Sequence, residues 1–205
     1  IGRLTLDKVR FNMHDEGKGR FDLKTNIAAL DITTDDLDFK NRTVALKTIG
    51  LNDSKIAFRQ LEKTGKAVKV NTPLQFPGFG WTVTAKKIEL GNNHLIYADD
   101  NAPYQEQALD YSHFDLQQVH LSMAGLKYAD DDISGSIRRL AFRDKSGFQL
   151  NELAADVQVS PRKIDVKNLV LKTPGSDVKN NTSLTFSAFN DLTDFMNRGK
   201  VEADF

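Results

Sequence analysis

The chain has 205 residues, with 28 basic against 28 acidic side chains, 40% hydrophobic residues and no cysteine. That length suits one large domain or two small ones. A formal charge of zero argues against a nucleic-acid binder, which normally carries a basic face. The missing cysteine excludes disulfides, thiolate metal sites, cysteine nucleophiles and cysteine-ligated iron–sulfur clusters.

No run approaches the roughly 20 apolar residues of a membrane-spanning helix. The sequence opens on a strand-like Ile1-Gly-Arg-Leu-Thr-Leu6 and closes on a strand-like Val201-Glu-Ala-Asp-Phe205. It therefore reads as an excerpt of a longer protein, with any targeting or anchoring segment expected outside it.

Period-two alternation dominates from the first strand onward. Val9, Phe11 and Met13 share one face while Arg10 and Asn12 take the other. Trp81, Val83 and Ala85 repeat this, then Val119, Leu121 and Met123, then Leu153, Ala155, Val157 and Val159. Such alternation marks half-buried strands. The alternation also slips by one residue and resumes, at Asp7-Lys8, Lys47-Thr48, Lys86-Lys87, Gln117-Gln118, Arg138-Arg139, Asn151-Glu152 and Lys167-Asn168. One extra residue per strand returns the apolar set to the same face beyond a bulge. Slips at matching points would fold the whole sheet over its apolar side.

Turn signals separate the strands: Asp15-Glu-Gly17, Asn41-Arg42, Asn52-Asp53, Asn92-Asn93, Asp130-Asp-Asp132, Asp144-Lys-Ser-Gly147 and Ser160-Pro161. Short connections predict an antiparallel meander, because parallel crossovers need a dozen or more residues. Residues 60–80 and 99–112 lack the rhythm and read as long loops within a single unit spanning 1–205. Helical periodicity is confined to Asp191–Asn197, with Asn190 as N-cap.

No chemistry-bearing motif stands out. His14, His94, His113 and His120 form no metal-binding spacing; His113 and His120 point to opposite faces unless a bulge intervenes between them. Asp99-Asp100 and Asp130-Asp131-Asp132 lack the spacing of a calcium loop and read as solvated turns. Adjacent acids in a loop make a poor acid–base pair without a pocket. The paired bases Lys86-Lys87 and Arg138-Arg139 read as solvated bends. No catalytic residue, metal ligand or cofactor site is expected, and the chain does not read as an enzyme.

The run from Phe114 to Val178 resembles the TamB branch of the AsmA-like envelope proteins. The resemblance rests on Lys145-Ser-Gly-Phe148 followed by Leu150-x-x-Leu153, and on Leu169-Val-Leu-Lys-Thr-Pro-Gly-Ser176. Val44-x-Leu-x-x-Ile-x-Leu51 with Asn52-Asp-Ser-Lys-Ile56 is similar to the same family's recurring strand unit. The resemblance implies a taco-shaped β-sheet with an apolar groove, in a protein that crosses the Gram-negative periplasm from an inner-membrane anchor. It implies phospholipid transport to the outer membrane, with acyl chains as ligand and a barrel protein of the TamA or BamA type contacted outside these residues. The other implied role is assistance to outer-membrane protein assembly through sheet-edge pairing.

The expected lining begins with Ile137, Phe142, Phe148, Leu150, Leu153 and Val157, and continues with Ile164, Val166, Leu169 and Leu171. Val119, Leu121, Met123, Val44, Leu46, Ile49 and Leu51 extend it. Periodicity does not separate an open apolar trough from a closed two-sheet core.

Overall fold

A computed structural model describes residues 2–17, 19–63, 76–78, 80–105, 110–189, 191 and 200–204. Among these the chain is all β. The strands are β1 (Arg3–Asp15), β2 (Phe21–Asp38), β3 (Thr43–Asn52), β4 (Lys55–Gln60), β5 (Thr82–Asp99) and β6 (His113–Ala129). They continue as β7 (Asp132–Asp144), β8 (Gln149–Ser160), β9 (Lys163–Thr173), β10 (Ser176–Thr185) and β11 (Lys200–Asp204). All belong to one sheet, ordered β1-β2-β3-β5-β6-β7-β8-β9-β10-β11, with β4 between β2 and β5. Apart from Asp191, the expected helix at 190–197 lies outside the described residues.

Tight turns build the antiparallel ladders. Asp15 accepts the Gly17 and Gly19 amides between β1 and β2. At the end of β7, Asp144 accepts the Ser146 amide in the turn to β8 and the Asp115 amide of β6, and Gly147 in that turn takes φ +89°, which a side chain would resist. The meander has one exception: β3 and β4 run parallel to β5. They are two halves of one broken line, both paired with the 18-residue β2 on one side and the 18-residue β5 on the other. The stretch between Gln60 and Thr82 is long enough to bring the chain back to the starting end, as a parallel return requires.

Two expected hairpin turns are not turns between antiparallel strands. Asn92-Asn93 lies inside β5, and Asn52-Asp53 marks the break between β3 and β4. Asp53 and Asn92 both hold positive φ, 50° and 53°. Asn and Asp enter this left-handed region more easily than other non-glycine residues, so they serve bulges as well as turns.

The expected slips coincide with irregularities. Lys8, Gln118 and Asn168 take φ of 54°, 51° and 54°. Lys47 and Lys86 are skipped side by side in the β3–β5 ladder. Register shifts bracket Arg138-Arg139 and Asn151-Glu152 in the β7–β8 ladder.

The sheet is a single layer. All the described strands belong to one sheet, and their close contacts join hydrogen-bonded neighbours. The accessible surface is 13495 Å², against about 9,600 Å² for a compact monomer of this mass. Among the described residues, buried apolar side chains are correspondingly few: Leu51, Ala85, Val119, Ala129, Leu150, Ala155 and Phe186. A closed sandwich core is absent from the described residues.

Candidate functional site

The candidate site is the apolar face. Residues paired across neighbouring strands lie on the same side of a sheet, so the ladders define rows running across the strands. One row is leucine throughout: Leu6–Leu30, Leu30–Leu51, Leu51–Leu90, Leu90–Leu121, Leu121–Leu140, Leu140–Leu153 and Leu153–Leu171. It crosses β1, β2, β3, β5, β6, β7, β8 and β9 without a gap and ends on Val178 of β10. At about 4.8 Å per strand, the seven steps between leucines span roughly 34 Å.

A second row runs Leu4–Ile32–Ile49–Ile88–Met123–Ile137–Ala155. A third, nearer the strand ends, runs Leu37–Val44–Val83–Tyr128–Ile133–Val159–Ile164–Leu184. The slips make these rows continuous. Were Lys47 part of a regular pleat and not set aside in a bulge, for example, either Val44 and Leu46 or Ile49 and Leu51 would face the polar side.

Most of the expected lining residues fall on these rows. Leu51, Leu121, Leu153 and Leu171 belong to the first, Ile49, Met123 and Ile137 to the second, Val44 and Ile164 to the third. Val157 pairs with Val166 and with Gly135; a Cβ on Gly135 would collide with Met123 Cε, so this glycine makes room for the methionine. Leu46 pairs with Ala85, Phe142 with Leu150, Val119 with Asn93 and Leu169 with Asn180. Phe148 lies in the turn before β8 rather than within the strand, its ring 6.1 Å from that of Phe142.

Two aromatic groups at opposite strand ends were not singled out by alternation. Phe21, Phe58, Tyr97 and Phe114 stack in sequence, with centroid separations of 5.4, 6.1 and 5.4 Å. At the other end, Phe76 before β5 meets Phe189 after β10, 5.3 Å between rings, and Phe189 meets the buried Phe186. The strands β6 to β9 separate β5 from β10 in the sheet, so this contact reaches across its end.

Between the aromatic stack and the leucine row lies a polar seam. Ser54 and Asn93 sit on the apolar side, 1% and 0% exposed. The Ser54 amide donates to Asn93 Oδ1 at 3.0 Å, and Asn93 Nδ2 donates to the Leu51 carbonyl at 2.8 Å. The Ala28 amide donates to Ser54 Oγ at 3.0 Å, and that hydroxyl donates to the Asn52 carbonyl at 2.8 Å. These side chains replace ladder partners that the bulges remove, since buried backbone groups need partners.

The opposite face is polar and self-neutralising. Arg3 pairs with Asp31, Lys86 with Asp35 and Lys172 with Glu152. Lys172 holds Glu152 below the usual carboxylate range; Ser136 and Asn168, which donate to it, hold Asp156 below that range too. The bulge at Gln118 returns His120 to the side that His113 occupies, but each has its own surroundings, His113 bonding Asp110 at 3.0 Å. Among the described residues no group of three His, Asp or Glu is placed to hold a metal ion, and no helix is long and apolar enough to cross a membrane.

No family model matches the chain, and no curated protein or solved structure matches it either.

Proposed function

We propose that this chain is a TamB-like segment of a periplasm-spanning bridge whose apolar face carries phospholipid between the inner and outer membranes. The observation supporting this most is the leucine row, eight strands wide, on a single sheet in which few of the described apolar side chains are buried. A soluble protein rarely leaves so large an apolar surface without a use for it. Acyl chains lie against the aliphatic rows while headgroups stay in water. Burial returns about 0.8 kcal/mol per CH₂, so aliphatic walls hold a chain without polar anchors. The mechanism is passive and assigns no catalytic residue. The membrane anchor and the barrel partner belong to parts of the protein outside these residues.

A photocrosslinker tests this at two adjacent positions of β8. At Val157, on the apolar side, it should capture phospholipid from the cell envelope; at Gln158, on the polar side, it should not. Equal lipid capture at both positions, or none at Val157 in correctly folded protein, would remove the reading.

A further inference from the structure

We infer that the polar face carries a binding site for a phosphate-type anion, centred on Ala141 of β7. Slips in three consecutive strands build it. Gln117-Gln118 of β6, Arg138-Arg139 of β7 and Asn151-Glu152 of β8 interrupt the ladders around Ala141, which itself stands opposite the two residues of the β8 slip. A bulge re-aims side chains as well as bending its strand. Gln118, Arg139 and Asn151 come to line one hollow with His120, Arg143 and Gln149, and the small Ala141 side chain leaves it open. Its volume of about 190 Å³ lies below the roughly 300–1,000 Å³ of an organic-ligand pocket. A compact ion fits it better than an extended ligand.

The six polar side chains around it all carry donors, and no carboxylate lines it. Arg139 and Arg143 lie four residues along one side of β7, about 13 Å apart at 3.3 Å per residue, and both reach the same hollow. Neither is ion-paired with a described residue, whereas the neighbouring lysines are: Lys87 with Glu89 at 3.1 Å and Lys172 with Glu152 at 2.8 Å. Glu152 is held chiefly by Lys172 and only secondarily by Arg139. The Asn92 amide donates to His120 Nδ1 at 3.4 Å, which places the ring proton on Nε2. Gln149 Nε2 donates to Asn151 Oδ1, so Asn151 Nδ2 keeps its hydrogens for a ligand. Two guanidinium groups at one hollow repel each other, and an anion between them turns repulsion into attraction. Guanidinium forks match phosphate oxygens bidentately. A carboxylate presents two oxygens and a phosphate group up to four, so a donor set this large favours phosphate.

The test is isothermal titration calorimetry of the chain with inorganic phosphate at low ionic strength, with circular dichroism confirming the strand fold of each variant. The expected result is saturable binding of one phosphate per chain, tighter than that of acetate. Arg139→Gln and Arg143→Gln should each weaken it about tenfold. Arg10→Gln removes an arginine of β1 and should change nothing. Ala141→Glu sets a carboxylate between the two guanidinium groups and should abolish binding. Flotation with phosphatidylcholine vesicles, with and without phosphatidylglycerol, separates the sources of the phosphate. Binding to the anionic vesicles alone, dependent on both arginines and competed by phosphate, makes the ligand a lipid headgroup. Vesicle binding that is absent or indifferent to these arginines makes it a free phosphate. The acyl-chain reading is tested separately, at Val157 on the other face. No saturable phosphate binding, acetate bound as well, an equal loss in Arg10→Gln, or undiminished binding in Ala141→Glu would each overturn the site.

Discussion

Two pairs of neighbouring side chains on the same two lines of the sheet differ in burial. Leu51 and Leu90 face each other in the β3–β5 ladder, Leu51 9% exposed and Leu90 only half-buried. A few residues on, Ser54 and Asn93 are 1% and 0% exposed although both are polar. In a two-layer protein the ranking runs the other way, because a second layer covers the apolar side chains. Here the described strands form one sheet, and the deepest burial belongs to side chains that fill the gaps left by bulges. Stability in this sheet therefore depends on polar satisfaction at the slips at least as much as on apolar area.

The sharpest way to break that comparison is to truncate one member of each pair. Asn93→Ala leaves the Ser54 amide and the Leu51 carbonyl without their side-chain partners. It should cost about 2–6 kcal/mol at 1–3 kcal/mol per unsatisfied buried group. Leu90→Ala removes an only half-buried side chain, so about 1 kcal/mol is expected, below the 2–5 kcal/mol of a core leucine. Urea unfolding of both variants measures the order. A larger loss for Leu90→Ala would mean that something covers the leucine row.

Acid separates the two kinds of stabilisation next, since leucine rows do not titrate. Burial alone would raise the Asp144 carboxyl. Hydrogen bonds from the Ser146 side chain and amide and from the Asp115 amide outweigh it and hold the group below its ordinary value. A depressed folded pKa contributes stability that is present above the unfolded value and lost as pH falls through the folded one. Asp110 and Asp132, also held low, act in the same direction. His14 acts oppositely: Glu16 and then Asp22 raise it, so its contribution is present at low pH and lost as pH rises through its folded value. The urea midpoint should therefore fall from about pH 5 to about pH 2, and Asp144→Asn should be less stable at neutral pH but flatter across that window. An unchanged slope in Asp144→Asn would remove Asp144 from the account.

The strands and their slips were legible in the sequence because both are local. Val83-x-Ala85 and Ile88-x-Leu90 announce an extra residue at Lys86-Lys87 without reference to any other strand. The leucine row was not legible, because it depends on which residue of one strand stands opposite which of the next. Asn92-Asn93 misled for a physical reason: a left-handed residue between two apolar runs looks the same in a hairpin turn and in a bulge. The parallel pairing of β5 was hidden by a connection at 61–81 that carries no helical pattern. Phe76 and Phe189 lie outside the alternating runs, so nothing marked their contact.

The smallest expected effect isolates the backbone cost of a slip. Gln118 and Asn92 sit in neighbouring strands with nearly equal φ, 51° and 53°. For an L-residue this conformation costs roughly 1–2 kcal/mol, less for Asn, whose short side chain bonds locally. Asn92 does so, its Nδ2 donating to Asp53 Oδ1 at 2.7 Å. Glycine relieves the strain but adds roughly 0.5–1 kcal/mol of chain entropy to the unfolded state. Gln118→Gly should therefore raise stability by about 0.5–1 kcal/mol. Asn92→Gly gains less strain relief and gives up the Asp53 bond, so it should be neutral or destabilising. Gln118→Val, β-branched in a left-handed position, should be the least stable of the three. Thermal melts of the three variants rank them. If Gln118→Gly proved no more stable than Asn92→Gly, the left-handed slip would not be the strained element of the strand.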